Sequence, residues 1–397
     1  MVAVTSEGSL SGTFARKLVL LPLLLLGSLL PGTTALSLRT KAAGAASRAA
    51  VQKMAQDSAA AAAAPAARVA TVLGTMSIPN PLDVSASRDA LDYFTKAGFE
   101  DIDTAIMYQG GKSEGALGDV GMEKFRVATK ANPWYKDGKT FDDPVAGLNA
   151  GAVKEQLRAS LSSLRLDSVD LFYLHAPDHE TPIEETLLAV HELRSEGLFR
   201  EWGLSNYASW EVVDIWHICQ ANGWQTPSVY QGMYNAVTRE VERELLPALK
   251  KLGMKFYAYN PLAGGILTGK HSFDNPPEGG RFSSKTVWGG RYRQGRQTSS
   301  WLDRFWHKPT FDALDDIKAL CKKHETTAVS ASLRWLHHHS WLSGERGDAV
   351  IVCGSSLDQV KANVDACADE RPLPQELVDA FDQAWGASKA HCPQYFR

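Results

Sequence analysis

The chain has 397 residues, of which 44% are hydrophobic and 22% are charged, a composition typical of a globular protein. Its formal net charge of −3 gives no electrostatic reason to expect a nucleic-acid partner. Outside the N-terminus, no apolar run approaches the ~20 residues that a membrane-spanning helix requires. The length allows one large domain or two small ones.

Residues 1–68 are predicted to be a targeting leader, and the folded domain is expected over 69–397. Two basic residues precede an apolar run over 18–30, and small residues follow it, which is the pattern of a secretory signal peptide. The next segment, 38–67, is rich in Ala and Ser and resembles an organellar transit peptide. Together the two segments predict a bipartite leader that directs the protein to a plastid. A plain signal peptide for the secretory pathway is the alternative, and no membrane association is expected after the leader is removed.

Five cysteines are an odd number and none forms a CxxC pair, so we expect free thiols and neither a disulfide framework nor a zinc site. Free thiols suit a reducing compartment such as the plastid stroma. Three consecutive histidines, 337–339, lie on a predicted helix, where successive positions point in different directions. No metal site is therefore expected there. The cysteines are Cys219, Cys321, Cys353, Cys367 and Cys392.

From residue 69 onward, short apolar runs alternate with segments of helical periodicity, which is typical of repeated βα units. Eight such runs over about 280 residues predict an α/β fold, the (β/α)8 TIM barrel. An insertion is expected over 262–309, after strand seven, and helix 375–387 is expected to bring the tail 392–397 to the barrel rim. The predicted strands cover 69–75, 99–103, 125–130, 169–175, 200–205, 228–231, 255–260 and 349–353. The predicted helices include 85–97, 113–120, 152–164, a helix opened by Pro182, 209–222 and 241–252.

Polar residues stand at the ends of three neighbouring predicted strands. Asp103 ends strand two and Tyr108 follows five residues later, Lys130 ends strand three, and His175 ends strand four. Because a parallel barrel gathers the carboxyl ends of its strands on one face, the four side chains are expected to share a pocket.

Their chemistry is that of a proton donor and its supports. A tyrosine has a pKa near 10, and a nearby ammonium lowers that value by stabilising the phenolate. Lys130 would therefore tune Tyr108, Asp103 would fix Lys130, and His175 would orient a carbonyl oxygen. Such a site could protonate an alkoxide as a hydride arrives, which is general acid catalysis. A Schiff-base aldolase that uses a strand-end lysine is a second class, and borohydride trapping on Lys130 would reveal it.

No G-x-G-x-x-G motif follows the first strand, so the sequence excludes a Rossmann dinucleotide site. Phosphate sites in TIM barrels often lie after strands seven and eight, at a helix N-terminus. Both loops are suited to a pyrophosphate. The candidates after strand seven are Leu262, Gly264, Gly265 and Lys270, and those after strand eight are Gly354, Ser355, Ser356, Gln359 and Asn363.

Several motifs resemble those of the aldo-keto reductases: DTAxxY at Tyr108, ATK at Lys130 and LFYLH at His175. The runs SNY and YNPLAGGILTGK and the ending CPQYFR are similar to the aflatoxin B1 aldehyde reductase or succinic semialdehyde reductase branch of that family. The resemblance covers roughly residues 70–397. It implies NADPH-dependent reduction of aldehydes to alcohols, with Tyr108 as the proton donor and dialdehydes, semialdehydes or aromatic aldehydes as substrates.

The resemblance also implies cofactor contacts. Many aldo-keto reductases bind the 2′-phosphate with a lysine and an arginine, whose positions here hold Cys353 and Gln359. The named branch shares this loss, so NADPH is still the expected cofactor, with Lys270 or Lys361 supplying the charge. NADH is the alternative. The resemblance assigns the nicotinamide carboxamide to Ser205, Asn206 and Gln231, and it adds Met76, Asn260 and Pro261 to the cofactor site.

Three arginines match motifs of the branch and are predicted to bind substrate: Arg281, Arg304 and Arg397. Guanidinium groups hold carboxylates bidentately, which suits an aldehyde with a distal acid. The long loop 131–149 is expected to contact the substrate as well. Some aldo-keto barrels resemble channel-associated β subunits, so a binding module stays open as a third class. The expected partner is a small-molecule aldehyde, and a homodimer is compatible with the sequence.

Overall fold

The computed structural model of the protein describes residues 67–134, 147–275, 277, 282 and 304–397. Almost all of the predicted leader lies outside these residues, as do parts of the loop 131–149 and of the insertion 262–309. Within the described ranges, no helix is both long and apolar enough to cross a membrane.

Eight parallel strands close into a barrel, in which each strand pairs with the next along the chain and the last pairs with the first. The predicted (β/α)8 barrel is therefore confirmed. The strands are β1 (Ala70–Gly74), β2 (Asp101–Asp103), β3 (Arg126–Ala131), β4 (Val169–Leu174), β5 (Phe199–Ser205), β6 (Val229–Met233), β7 (Lys255–Tyr259) and β8 (Ala349–Val352).

Helices surround the barrel and alternate with its strands. They are α1 (Val84–Lys96), α2 (Lys112–Val120), α3 (Ala150–Leu164), α4 (Ile183–Ser195), α5 (Ser209–Asn222), α6 (Leu245–Leu252), α7 (Lys308–Lys323), α8 (Ala328–His338), α9 (Leu357–Ala368) and α10 (Gln375–Ser388). The buried residues of α1 fall on one side, as its apolar spacing predicts, and Asp83 caps it by accepting a hydrogen bond from Ala86 N at 2.8 Å. Both α7 and α8 lie between β7 and β8, so this connection is longer than the others.

Packing inside the barrel depends on small residues at close approaches. A Cβ atom at Gly203 on β5 would lie 2.5 Å from the carbonyl oxygen of Val229 and 2.8 Å from the ring of Tyr173. Tyr173 is fully buried, so its ring occupies the space that a side chain at position 203 would need. Glycine at this position therefore lets the aromatic ring fill the interior.

Two element boundaries differ from the prediction for local reasons. The predicted helix 241–252 begins as a 3-10 turn over Glu240–Glu242, and α6 starts only at Leu245. A continuous helix from residue 241 would place Pro247 in its interior, where the proline ring clashes with the carbonyl four residues earlier. Strand β2 starts at Asp101 and not at residue 99, because Phe99 N donates back to Phe94 O at the end of α1.

The strand register aligns the residues that end the strands. Asp103 is level with Ala128 on β3, Lys130 with Tyr173 on β4, and Ser205 with Gln231 on β6. The carboxyl ends of successive strands thus present their side chains to one rim of the barrel.

Candidate active site

Lys130 is at the centre of the polar cluster at this rim. Its side chain is fully buried, and Nζ donates to Asp103 Oδ1 at 2.5 Å and to the Thr104 carbonyl oxygen at 2.6 Å. The same Nζ lies 3.5 Å from the Tyr108 hydroxyl. Burial lowers the pKa of Lys130, and the carboxylate of Asp103 opposes that shift by favouring the ammonium form. The amine is therefore held in one position between a carboxylate and a phenol.

Asp103 has its own supports at the end of β2. Its backbone oxygen accepts hydrogen bonds from Thr75 N at 3.0 Å and from the Thr75 hydroxyl at 2.9 Å. Its second carboxylate oxygen accepts from Gln231 Nε2 at 2.7 Å. Because the residue is 3% exposed, the bonds from Lys130 and Gln231 replace the water that its ionised carboxylate would otherwise need.

Tyr108 begins a short 3-10 turn after β2, and its side chain is partly exposed. The turn needs left-handed backbone at Gln109 (φ 54°), Gly110 (φ 65°) and Gly111 (φ 86°), and the last two angles explain the Gly-Gly pair. The Gln109 side chain then donates to the carbonyl oxygen of Met76 at 2.6 Å, which ties this turn to the loop after β1.

His175 follows β4, and its ring meets the Tyr108 ring edge to face, with centroids 6.0 Å apart at 75°. Burial, together with the positive charges of Lys130 and Arg397, holds the pKa of His175 well below its usual range. The ring is therefore neutral at physiological pH and carries one donor and one acceptor nitrogen. In the part of the chain that the structure describes, its buried Nδ1 has no hydrogen-bond partner.

Asn206 connects the end of β5 to three other parts of the rim. Its Nδ2 donates to the His175 carbonyl oxygen at 2.8 Å, and its Oδ1 accepts from the Tyr259 hydroxyl at 2.8 Å. Its backbone oxygen accepts from Arg397 N at 2.9 Å. These bonds fix Asn206 in left-handed backbone (φ 64°), a conformation that asparagine tolerates better than most residues.

The loop after β7 brings bare backbone to the rim. Gly264 and Gly265 both have positive φ, 69° and 120°, and they interrupt a 3-10 turn that runs over Ala263–Thr268. Asn260 and Pro261 connect this loop to β7, and Lys270 is exposed just beyond it. A Cβ atom at Gly265 would have His271 Nε2, at 3.9 Å, as its nearest neighbour, so the space beside this backbone is open.

The loop after β8 leads directly into the N-terminus of α9. Ser356 caps the helix by accepting from Gln359 N at 3.3 Å, and Gln359 Oε1 in turn accepts from the Ser355 backbone and hydroxyl at 3.0 Å each. A Cβ atom at Gly354 would lie 2.8 Å from Val360 N, so glycine is required for this close approach. Asn363 is buried and donates to the Cys353 carbonyl oxygen at 2.9 Å.

Both loops fit the phosphates of a nicotinamide dinucleotide. Exposed serines at a helix N-terminus and glycine backbone at the ends of β7 and β8 are features of the phosphate sites that TIM barrels often carry at these strand ends. Several of the predicted cofactor side chains bond to other parts of the protein: Gln231 donates to Asp103, Asn206 to the His175 carbonyl oxygen, and Asn363 to the Cys353 carbonyl oxygen. Gln359 accepts from Ser355 within its own loop.

The three predicted substrate arginines have different positions. Arg397 lies at the rim, with its guanidinium 4.9 Å from the centre of the Trp134 ring, and Trp134 lies beside His175 with ring centroids 6.3 Å apart. Arg304 lines a small cavity formed with Val237 and with the segment 388–393, and no tetrad residue lines that cavity among the described residues. Arg281 lies outside the described residues.

Two residues near the site are not among those that the sequence singled out. Trp134 contacts His175 and Arg397, and its place shortly after a strand-end lysine was a usable signal. Glu114 is a buried carboxyl on α2 that accepts a hydrogen bond from Thr129, the residue before Lys130 on β3. Because this contact joins two different elements, no local sequence pattern reports it. No cluster of three or more metal-ligating side chains is found within the described ranges, which include the histidines at 337–339.

A TIM barrel with a buried lysine between a carboxylate and a tyrosine, and with glycine and serine loops after β7 and β8, has the arrangement expected of a barrel oxidoreductase that uses a nicotinamide cofactor. The model of the Aldo/keto reductase family matches residues 70–386, and the chain belongs to that family. It is thus an oxidoreductase of the NADP-dependent aldo-keto reductase type.

The relatives agree with this assignment. Aflatoxin B1 aldehyde reductase member 2 of Mus musculus is 48% identical over 340 residues, which cover 83% of this chain and 88% of the relative. Aflatoxin B1 aldehyde reductase member 4 of Homo sapiens is 46% identical over 343 residues, covering 83% of this chain and 98% of the relative. The solved glycerol dehydrogenase from Gluconobacter oxydans shares the fold, with a TM-score of 0.62, 24% identity and coverage of 82% and 92%.

Proposed function

We propose that the protein reduces aldehydes to alcohols with NADPH, and that Tyr108 donates the proton. The observation that carries this proposal is the 3.5 Å separation between Lys130 Nζ and the Tyr108 hydroxyl. An ammonium at this distance lowers the pKa of the phenol, so that it donates a proton more readily near neutral pH. The substrates we expect are semialdehydes, dialdehydes and aromatic aldehydes.

Each of the other three tetrad residues has a supporting role. Asp103 holds the Lys130 amine in place, and the neutral ring of His175 can donate a hydrogen bond to the carbonyl oxygen of the substrate. Bound NADPH supplies the hydride. The protonated phenol then neutralises the alkoxide, and the lysine stabilises the phenolate that is left. The aldolase alternative is disfavoured because Lys130 is fully buried and its amine is ion-paired with Asp103, whereas a Schiff-base lysine must be free to attack.

Turnover of 4-nitrobenzaldehyde with NADPH tests the reaction. We expect the wild-type protein to oxidise NADPH in step with loss of the aldehyde, and we expect Tyr108→Phe to remove this activity while NADPH still binds. If the wild-type protein binds NADPH but turns over no aldehyde, the proposal is wrong and a binding module is the better interpretation. Borohydride trapping of a substrate adduct on Lys130 would instead establish the aldolase.

We propose that NADPH is preferred although Cys353 and Gln359 occupy the positions where many relatives carry cations. Of the two lysines that could replace that charge, Lys270 is exposed beside the Gly264–Gly265 backbone. The Lys361 amine instead lies 5.5 Å from the centre of the Tyr93 ring, between α9 and α1. Lys270→Ala is therefore expected to raise KM for NADPH more than Lys361→Ala does. A lower KM for NADH than for NADPH in the wild type would contradict the preference itself.

We propose that Arg397 binds a carboxylate on the substrate. Its support is the place of the guanidinium over Trp134, next to the His175 ring, together with the aldehyde reductases among the relatives. Arg397→Ala is expected to raise KM for succinic semialdehyde by about 10- to 100-fold, because a charge-assisted hydrogen bond is lost. The KM for 4-nitrobenzaldehyde should change little. Arg304→Ala is the matched control, since Arg304 lines the cavity beside residues 388–393, and equal effects of the two variants would refute the assignment.

We also propose that residues 1–68 direct the protein to a plastid, on the composition of that segment alone. A fluorescent protein fused to residues 1–68 should accumulate in plastids, whereas secretion into the medium would favour the plain signal peptide.

A small-molecule aldehyde remains the proposed partner. A measurement of the molecular mass in solution tests whether the protein is a homodimer, which would have twice the mass of one chain.

A further inference from the structure

Behind the lysine of the tetrad lies a second buried acid that the proposed reaction does not use. Glu114 on α2 is 1% exposed, and its carboxyl accepts a hydrogen bond from the Thr129 hydroxyl. The Ser160 hydroxyl on α3 lies 3.4 Å from the Thr129 hydroxyl and also favours the ionised form of this carboxyl. Since Thr129 directly precedes Lys130 on β3, and side chains alternate along a strand, Glu114 lies on the outer face of the strand whose inner face carries Lys130.

The charges around Glu114 leave Lys130 as its main electrostatic partner. Among the described residues, Lys130 is the charged group that acts on the pKa of Glu114, and Glu114 acts on Lys130 in turn. On the inner face, Asp103 and Tyr108 complete the cluster. The other charged groups of the surrounding elements lie toward the surface: Lys112, Arg88, the pairs Asp119–Arg165 and Asp92–Lys124 beside α2, Arg126–Asp101 on the strands, and Lys154–Glu192 and Arg158–Glu196 on α3.

A carboxyl is not required here for packing alone. A glutamine has the same shape, and its carbonyl oxygen can accept the same hydrogen bond from Thr129. An ionised carboxylate away from water is costly unless it is compensated. Burial accordingly raises the pKa of Glu114 to about 7, so the group changes charge within the physiological range.

We propose that Glu114 is a positioning residue that sets the proton affinity of the Lys130–Tyr108 pair from behind β3. This inference rests on the proposed function of Tyr108. A negative charge at Glu114 favours the ammonium on Lys130 and disfavours the phenolate on Tyr108. Because of both effects, the Lys130–Tyr108 pair loses its proton only at a higher pH. Glu114 thereby extends the pH range over which the phenol can act as an acid.

The test is the pH dependence of kcat/KM for 4-nitrobenzaldehyde with NADPH in Glu114→Gln. The profile should fall at high pH as the coupled pair loses its proton, and this fall reports a pKa of the pair and not of one residue. Without the negative charge, the alkaline fall should move down by about one pH unit, as expected for one charge across a strand. Glu114→Asp keeps the charge and should move the fall by less than half as much, whatever its kcat. A merely structural role predicts lower activity in both variants with no difference between their profiles.

Each outcome decides the inference. A shift in Glu114→Gln that is absent or much smaller in Glu114→Asp supports it, and an unshifted or equally shifted pair of profiles overturns it. If Glu114→Gln does not fold, the double variant Glu114→Met/Thr129→Val carries the test, because it removes the charge together with the hydroxyl that donates to it. Its alkaline fall should move down by about one pH unit, while Thr129→Val alone keeps the charge and should stay near the wild-type position, and identical profiles for these two variants overturn the inference. Lack of aldehyde turnover in the wild type would instead refute the proposed function.

Discussion

Replacing Asp103 with asparagine tests the buried ion pair on which the site depends. In the wild type, one carboxylate oxygen accepts from Lys130 and the other from Gln231. An asparagine has one acceptor oxygen, so its amide nitrogen must face one of these two donors. The variant therefore loses a hydrogen bond and also leaves the fully buried ammonium of Lys130 without its counter-charge.

The expected loss of stability is large because no water replaces the missing charge. Removing one partner of a buried ion pair costs about 3–5 kcal/mol, so the free energy of unfolding should fall by this amount at pH 7. The deficit should shrink as the pH rises. Burial lowers the pKa of Lys130 in the folded state, and without Asp103 to oppose it that pKa falls further below the unfolded value. The unfolded state then binds more protons than the folded state does. The free energy of unfolding therefore rises with pH until the pH reaches the pKa of an unfolded lysine, about 10.4.

Urea unfolding at several pH values between 6 and about 10 measures this effect. Asp101→Asn is the matched control, because Asp101 lies on the same strand and pairs with the half-exposed Arg126 at 2.6 Å. Exposed pairs of this kind contribute about 0–1 kcal/mol. A deficit in Asp103→Asn that is no larger than that of the control, or that does not change with pH, would refute the account of Lys130 as a charge held by Asp103.

Three further results are expected. Tyr108→Phe should lower kcat for aldehyde reduction by about 10²–10⁴-fold, as measured by NADPH oxidation, and an activity within tenfold of wild type would exclude Tyr108 as the proton donor. Tyr395→Phe removes a hydroxyl that donates to Glu244 at 2.6 Å and accepts from the backbone of α5, so it should cost about 1–3 kcal/mol in urea unfolding and raise KM for succinic semialdehyde by loosening the tail. Gly203→Ala should cost about 1–3 kcal/mol, because its new methyl group meets the ring of Tyr173, and a neutral effect would show that the barrel interior can yield there.

The sequence was sufficient to predict the barrel and the meeting of the tetrad. Periodicity identified all eight strands, and the carboxyl-end rule of a TIM barrel placed Asp103, Lys130 and His175 at one rim. Element boundaries were less certain where the chain bonds to a neighbouring turn, as Phe99 does to Phe94. The start of α6 was predictable from Pro247, but the apolar spacing around it favoured a longer helix.

Side-chain partners were harder to predict than side-chain positions. Gln231 is predicted to contact the cofactor, and that stays a prediction, but its bond to Asp103 joins residues 128 positions apart in the sequence, and no local pattern reports that contact. Arg304 and Arg397 both sit in motifs of the same family branch, but only the path of the tail brings Arg397 beside the histidine. Motif similarity gives no distance, so it could not separate the two.

The order of the strands separates two parts of the barrel rim, one with the proton-donor residues and one with the glycine and serine loops. The residues of the proposed proton transfer come from β2, β3 and β4 or directly follow them, whereas the glycine and serine loops that we propose bind the cofactor phosphates follow β7 and β8. Ser205 and Gln231 lie on the two strands between them. Substitutions confined to the loops after β7 and β8 can therefore alter nucleotide preference without touching the proton-donor residues, whereas substitutions at Asn206 or Gln231, which bond to His175 and Asp103, would disturb both.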